Sequence, residues 1–83
     1  MNFVKVFEKE NNEEHPVLIN LDNVLMVNIF NHTERPAINV YPSHSTGGPW
    51  RIYFTGYDLV PDFKARDQVF KMIEDAITRK DKT

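Results

Sequence analysis

The chain has 83 residues, of which 41% are hydrophobic and 27% charged, and its net charge at pH 7 is −2. A chain of this length holds one small domain, residues 1–83, and its apolar content is too high for a disordered protein. The absence of cysteine excludes disulfides, thiolate catalysis and cysteine-based zinc sites, and the slightly acidic balance lacks the broad basic surface typical of nucleic-acid binders.

Hydrophobic patterning predicts five strands in the first two thirds of the chain. Short runs of β-branched and aromatic residues alternate with breaks rich in Asn, Gly and Pro, which is typical of strands joined by turns. The predicted strands cover about residues 3–8, 17–19, 24–31, 37–41 and 50–55. Consecutive strands of this kind are expected to pair as an antiparallel meander.

The last part of the chain predicts one amphipathic helix over about residues 63–79. Asp62 is the expected N-cap, because its carboxylate can accept hydrogen bonds from the amides of the first turn. The apolar side chains fall on one side of a helical wheel: Ala65, Val69, Phe70, Met72, Ile73, Ala76 and Ile77. The sequence therefore predicts an α+β fold, a curled antiparallel β-meander with this helix packed on one face.

The predicted strand over residues 24–31 has apolar residues on both faces, unlike a half-exposed antiparallel strand. One face carries Leu25, Val27 and Ile29. Because a single helix covers only one face of a sheet, we expect these three side chains to need another cover. Three covers remain open: the sheet curling into a small barrel, a second copy of the chain, or a different protein.

Residues that could carry catalysis do not form a recognisable set. His15, His32 and His44 fall in predicted loops or at a strand edge, without the Gly-x-Ser-x-Gly turn of a serine nucleophile. The carboxylates that precede His15 lie in a polar, solvated turn, and no converging group of metal ligands is evident. The sequence predicts that the protein is not an enzyme and holds no metal or cofactor.

Aromatic residues beside arginine give the strongest indication of binding. Tyr41, Arg51 and Tyr53 are expected to share the outward face of the sheet, a composition that suits a protein interface or stacking with single-stranded bases. The predicted protein interface comprises Leu25, Val27, Ile29, Tyr41, Arg51 and Tyr53. The alternative nucleic-acid surface comprises Tyr41, Arg51, Tyr53, Lys64 and Arg66.

Two resemblances concern shape. In element order, residues 24–79 resemble the helix-ended, four-strand module of single-strand DNA-binding transcriptional coactivators of the Whirly type. That resemblance implies dimerisation through the helix and a basic sheet that binds DNA; Arg35 and Arg51 are the only lysine or arginine residues between positions 24 and 63. Residues 17–27 (VLINLDNVLMV) resemble the strand–turn–strand opening of small bacterial and phage proteins.

These observations predict a non-enzymatic protein-interaction module. We expect a small bacterial or phage accessory protein that binds through its sheet face and as a homodimer, with a different protein as a further partner. The alternative is a single-stranded nucleic-acid-binding protein. The amino terminus lacks the pattern of a signal peptide and the longest apolar run is residues 24–27, so we expect a cytoplasmic protein without a membrane span.

Overall fold

The computed structural model describes residues 2–31, 33–44 and 47–81. The described chain contains five strands and one long helix in the predicted order. The elements are β1 (Phe3–Glu10), β2 (Glu13–Asn20), β3 (Val24–Phe30), β4 (Ala37–Pro42), β5 (Trp50–Tyr53) and α1 (Phe63–Asp81). The predicted α+β fold, a curled arrangement of antiparallel strands with a C-terminal helix, is confirmed.

The strands form two sheets. β1 pairs with β2, and β4 lies between β3 and β5, with every pairing antiparallel. A short 3-10 turn, Leu21–Asn23, separates β2 from β3, and no ladder joins these two strands within the described residues. A parallel bridge between Lys9 and Phe54 connects the sheets instead. The meander is therefore interrupted once, and the end of β1 lies beside the end of β5.

The first hairpin is longer than the sequence predicted. Asn11 and Asn12 both have left-handed backbone conformations, with φ of 50° and 67°. Two such residues make a tight hairpin turn whose twist matches that of the strands, and Asn tolerates this conformation better than most residues. β2 therefore begins at Glu13, not at residue 17, and includes Pro16. Proline is tolerated there because β2 is an edge strand.

One hydrophobic core holds both sheets and the helix together. The first sheet contributes Val6 and Ile19, the second contributes Ile38, and the helix contributes Ile73, all at most 3% exposed. The helix begins at the predicted residue and packs its predicted apolar side inward, although Met72 remains 48% exposed at the margin. No helix in the described part of the chain is long and apolar enough to cross a bilayer.

Candidate functional site: an arginine–aromatic sheet face

Strand register determines which side chains share the outer face of the three-stranded sheet. Residues directly opposite each other in an antiparallel pair lie on the same face. Asn39 of β4 is opposite Arg51 of β5, and two-residue periodicity then places Tyr41 and Tyr53 on the same side. The structure thus places the sequence-predicted residues Tyr41, Arg51 and Tyr53 on one face.

Two arginines lie over two aromatic rings on this face. The guanidinium carbon of Arg51 is 4.5 Å from the ring centroid of Phe30, and that of Arg35 is 4.0 Å from the ring centroid of Tyr53. These distances are within the range of cation–π attraction. The four side chains line a cavity of about 240 Å³. We call Phe30, Arg35, Arg51 and Tyr53 the arginine–aromatic face.

Two positive charges lie together on this face, although the protein as a whole has a negative net charge. Arg35 and Arg51 come from positions far apart in the chain, yet both line the same cavity, while the whole chain carries a net charge of −2. A guanidinium remains protonated at any physiological pH. The face therefore carries two positive charges, and Glu34 lines the adjoining cavity together with Arg35. The sequence indicated Arg51 here, but Arg35 lies in the loop after β3, whose path the strand pattern does not predict.

A chain of polar contacts crosses the same face beside the cavity. Arg51 donates from Nε to Oδ1 of Asn39 at 3.2 Å, and Asn39 donates from Nδ2 to Oδ1 of Asn28 at 3.0 Å. Asn39 is only 8% exposed, and Ala37, on the same face, is fully buried. The central strand is therefore covered by side chains of the protein itself.

This arrangement corrects the predicted face of β3. Val27 and Ile29 are opposite the core residues Val40 and Ile38, so they lie on the core side of the sheet and are half-buried. The register shifts between Val24 and Met26, and Leu25 is 73% exposed. Val27 packs against the core cluster, so the prediction that it lacks a cover within the chain is wrong. Neither Val27 nor Ile29 is on the arginine–aromatic face, although the sequence placed both in one interface with Arg51 and Tyr53.

A strained turn lies next to this face. Gly56 donates its backbone amide to the Val60 carbonyl at 2.7 Å, and Val60 donates to the Tyr57 carbonyl at 3.0 Å. Between them Asp58 and Leu59 have φ of 54° and 57°, a left-handed conformation that is uncommon for leucine. A cavity of about 470 Å³ is lined by Leu59, Val60 and Arg35, among others. Arg35 thus connects the turn to the arginine–aromatic face.

The tip of the strained turn is apolar and exposed. Tyr57, Leu59 and Val60 are 75%, 56% and 58% exposed. Sequence patterning did not identify them, because a left-handed turn usually contains Gly or Asn and this segment has neither between Tyr57 and Val60. The sequence signal that could have identified them is the presence of Tyr, Leu and Val in a loop, because solvated turns are usually polar.

The alternative nucleic-acid residues on the helix lie elsewhere. Arg66 is 8% exposed, bonds Oδ1 of Asp67 at 2.9 and 3.0 Å, and donates to Oδ1 of Asn31 at 3.3 Å. Its guanidinium therefore stabilises the junction of helix and sheet. Lys64 lines a third cavity, of about 430 Å³, between the helix and β1. The structure does not gather Lys64 and Arg66 with Tyr41, Arg51 and Tyr53.

The third cavity contains an ion pair that shifts the pKa values of both of its members. Lys9 Nζ donates to Oδ2 of Asp62 at 2.8 Å, while Asp62 Oδ1 accepts the Ala65 amide at 3.0 Å, as expected of a helix N-cap. The hydrogen bond to Asp62 raises the pKa of Lys9 above its ordinary value. The bond from Lys9, followed by that from the Ala65 amide, lowers the pKa of Asp62. Because both carboxylate oxygens of Asp62 already bond to groups of the protein, we assign this cavity a structural role.

The described residues contain no group of three His, Asp or Glu side chains that could hold a metal ion. His15 lies 3.8 Å from Glu13, with both side chains largely exposed, and His32 is outside the described residues. No protein-family model, curated protein or solved structure matches the chain.

Proposed function

We propose that the protein is a non-enzymatic protein-interaction module whose arginine–aromatic face binds a carboxylate-rich segment of a partner protein. The observation that carries this proposal is the stacking of Arg51 on Phe30 and of Arg35 on Tyr53 around one cavity. Arginine and aromatic residues are enriched among the side chains that contribute most to protein interfaces. A planar guanidinium also matches a carboxylate through two parallel hydrogen bonds.

The way Arg51 is held supports recognition of an external anion. Its Nε is bonded to Asn39, and its two terminal nitrogens make no hydrogen bond to the described residues. The aromatic ring beneath and the Asn39 contact fix the plane of the guanidinium before any ligand arrives. A pre-organised group loses less conformational freedom on binding, so more of the interaction energy contributes to affinity.

The strained turn extends the proposed interface. Leu59 has a left-handed backbone conformation, which is strained for leucine, and its apolar side chain is 56% exposed to water. Both features cost free energy in the unbound protein. Strained residues of this kind concentrate at binding and catalytic sites. With Arg35 between the two cavities, the turn offers an apolar contact beside the cationic one.

Selection from a displayed peptide library tests the proposal. We expect the wild-type protein to enrich peptides rich in Asp and Glu. Arg51→Ala should lower the affinity for the selected peptides at least about tenfold, the loss expected of a central interface residue. Arg51→Lys keeps the charge but loses the planar, paired donors, so its affinity should also fall. Lys71→Ala, on the exposed side of α1, is the matched control and should bind as the wild type does.

Two outcomes would contradict the proposal. Equal enrichment by wild type and Arg51→Ala would show that the face is not the binding surface. Binding of a mixed-sequence single-stranded oligonucleotide at low salt, weakening steeply as salt rises and lost in Arg51→Ala, would favour the nucleic-acid alternative. The observation behind that alternative is the same stacking, because guanidinium and aromatic groups also contact bases.

A further inference from the structure

Glu8 occupies an unusual position in β1. Two-residue periodicity places it on the same face of the strand as Val6, which is fully buried in the core. An apolar residue is typical of such a position, because a carboxylate there loses part of its hydration. Glu8 is half-buried, so its charge needs a hydrogen-bond partner within the protein. The identity of that partner indicates what the residue does.

The partner of Glu8 is the backbone of β5. The Tyr53 amide donates to Oε2 of Glu8 at 3.2 Å. This amide points away from β4, because the next residue, Phe54, donates to the Pro36 carbonyl and successive amides of a strand point to opposite sides. Among the described residues β1 and β5 share one isolated parallel bridge, between Lys9 and Phe54, and no ladder continues to Tyr53. The Glu8 side chain therefore provides the acceptor that a neighbouring strand would provide.

Tyr53 is also the residue whose ring lies beneath Arg35. Its ring centroid is 4.0 Å from the guanidinium carbon of Arg35, and its side chain lines the cavity of the arginine–aromatic face. Tyr53 is the last residue of β5, and the ends of strands are held less firmly than their centres. The bond to Glu8 holds this end on the side away from β4.

We infer that Glu8 is a positioning residue of the arginine–aromatic face. It fixes the Tyr53 backbone and thereby the ring on which Arg35 is stacked. The bond joins the two sheets at the residue that forms one wall of the cavity. The effect of Glu8 on binding rests on the proposed function, whereas its effect on the ring is a property of the free protein.

Two other roles for Glu8 have different consequences. A role through its charge would oppose binding of an acidic segment, since like charges repel, so neutralisation would raise the affinity. A role in attaching the hairpin alone would resemble that of Thr55, whose hydroxyl accepts the Asn11 amide at 2.9 Å. Thr55 docks the tip of the hairpin but does not line the cavity. The Glu8 bond differs because it ends on Tyr53.

The pair Glu8→Gln and Glu8→Ala separates the hydrogen bond from the charge. Both variants lose the negative charge, but Gln retains an acceptor oxygen for the Tyr53 amide. NMR of the free protein should show Tyr53 amide exchange at least about tenfold faster in Glu8→Ala than in Glu8→Gln, as expected for loss of one hydrogen bond. The ring current of Tyr53 should shift the Arg35 side-chain protons upfield, and only Glu8→Ala should lose most of this shift. Circular dichroism verifies that both variants are folded.

Titration with an acidic peptide selected on the wild type measures the consequence for binding. Glu8→Ala should bind at least about fivefold more weakly than Glu8→Gln, because only Glu8→Ala leaves the ring free to move. Thr55→Val is the matched control. It removes one hydrogen bond from the same junction but none from Tyr53, so it should be less stable and retain wild-type affinity.

Three results would overturn the inference. Equal Tyr53 exchange and equal Arg35 shifts in the two Glu8 variants would show that the bond does not position the ring. Equal peptide affinities of these variants would show that its position does not matter for binding. An equal loss of affinity in Thr55→Val would assign the effect to lower stability. Failure of the proposed function is a different result, because Arg51→Ala would then bind as the wild type does while the Tyr53 signals still respond to Glu8→Ala.

Discussion

Asp62 is the residue at which two interactions depend on one side chain. One carboxylate oxygen caps α1 through the Ala65 amide, and the other accepts the hydrogen bond from Lys9. The sequence predicted the cap, because an Asp between Pro61 and an amphipathic run is a helix-start pattern. It did not predict the ion pair, since the position of Lys9 depends on β1 ending beside residues 54–62.

Substitution at Asp62 separates the cap from the ion pair. Asp62→Ala should lower the free energy of unfolding by about 1 kcal/mol through loss of the cap alone. Loss of the ion pair with Lys9 should lower it further. Asp62→Asn keeps a good capping oxygen and loses only the charge, so it should be less destabilising. Urea unfolding at pH 7 measures both values. Equal destabilisation by Asn and Ala would show that the cap contributes nothing.

The same carboxylate predicts a pH dependence of stability. The pKa of Asp62 is lower in the folded protein than its ordinary 3.8, so its contribution is complete above that pH and is lost as the pH falls through the folded pKa. The pKa of Lys9 is raised above 10.5, so its contribution is lost only as the pH rises through the folded value. The stability difference between wild type and Asp62→Asn should therefore narrow below pH 3.8, as urea titrations at several pH values would reveal.

Leu59 allows strain and function to be separated. Leu59→Gly should raise the free energy of unfolding by about 1 kcal/mol, because glycine adopts a left-handed conformation without the steric penalty of a side chain. The variant also removes an exposed apolar contact of the proposed interface, so peptide binding should weaken. Thermal unfolding and peptide titration measure the two effects. A variant that is both more stable and equally active in binding would exclude the turn from the interface.

At the scale of elements, the first hairpin is docked by its tip. The backbone amide of Thr55 donates to the Lys9 carbonyl at 2.8 Å, Asn12 donates to the Thr55 carbonyl at 3.1 Å, and Asn11 donates to the Thr55 hydroxyl at 2.9 Å. Thr55 is 2% exposed. The tip of β1–β2 is therefore bound to the segment that leads into α1, which fixes the position of the Lys9–Asp62 ion pair.

Replacement of Thr55 tests this docking. Thr55→Val retains the shape but removes the acceptor for the Asn11 amide, and we expect destabilisation of about 1 kcal/mol. Thr55→Ser retains the hydroxyl and serves as the control for that bond. Native-state hydrogen exchange should show faster exchange of the Asn11 amide in Thr55→Val and little change in Thr55→Ser. Unchanged exchange in both variants would mean that the hydroxyl does not hold the tip.

Strand patterning predicted which elements exist better than where each one begins. Alternation along β5 and its pairing with β4 follow from local composition, so the common face of Arg51 and Tyr53 could be predicted from the sequence. The start of β2 was not, because Pro16 and its acidic neighbours are typical of a loop and only the left-handed turn at Asn11 and Asn12 extends the strand. The faces of β3 depended on the same kind of non-local information.

At the scale of the molecule, the core compensates for the break between the sheets. Outside the isolated bridge between Lys9 and Phe54, each sheet has its own ladder. Val6 of the first sheet, Ile38 of the second and Ile73 of the helix belong to one buried cluster. Burial of shared apolar surface therefore couples the two sheets, and the protein should unfold as one cooperative unit.

Truncation of Ile73 tests that coupling. Ile73 is 1% exposed, so Ile73→Ala should cost about 2–5 kcal/mol through lost burial and the cavity left behind. Met72→Ala, at a position 48% exposed on the same helix, is the control and should cost much less. Because Ile73 belongs to the buried cluster that both sheets share, hydrogen exchange in β1 and in β4 should accelerate together in Ile73→Ala. Acceleration confined to β4 would show that the β1–β2 hairpin is stabilised independently of the core, and that two units, not one, make up the fold.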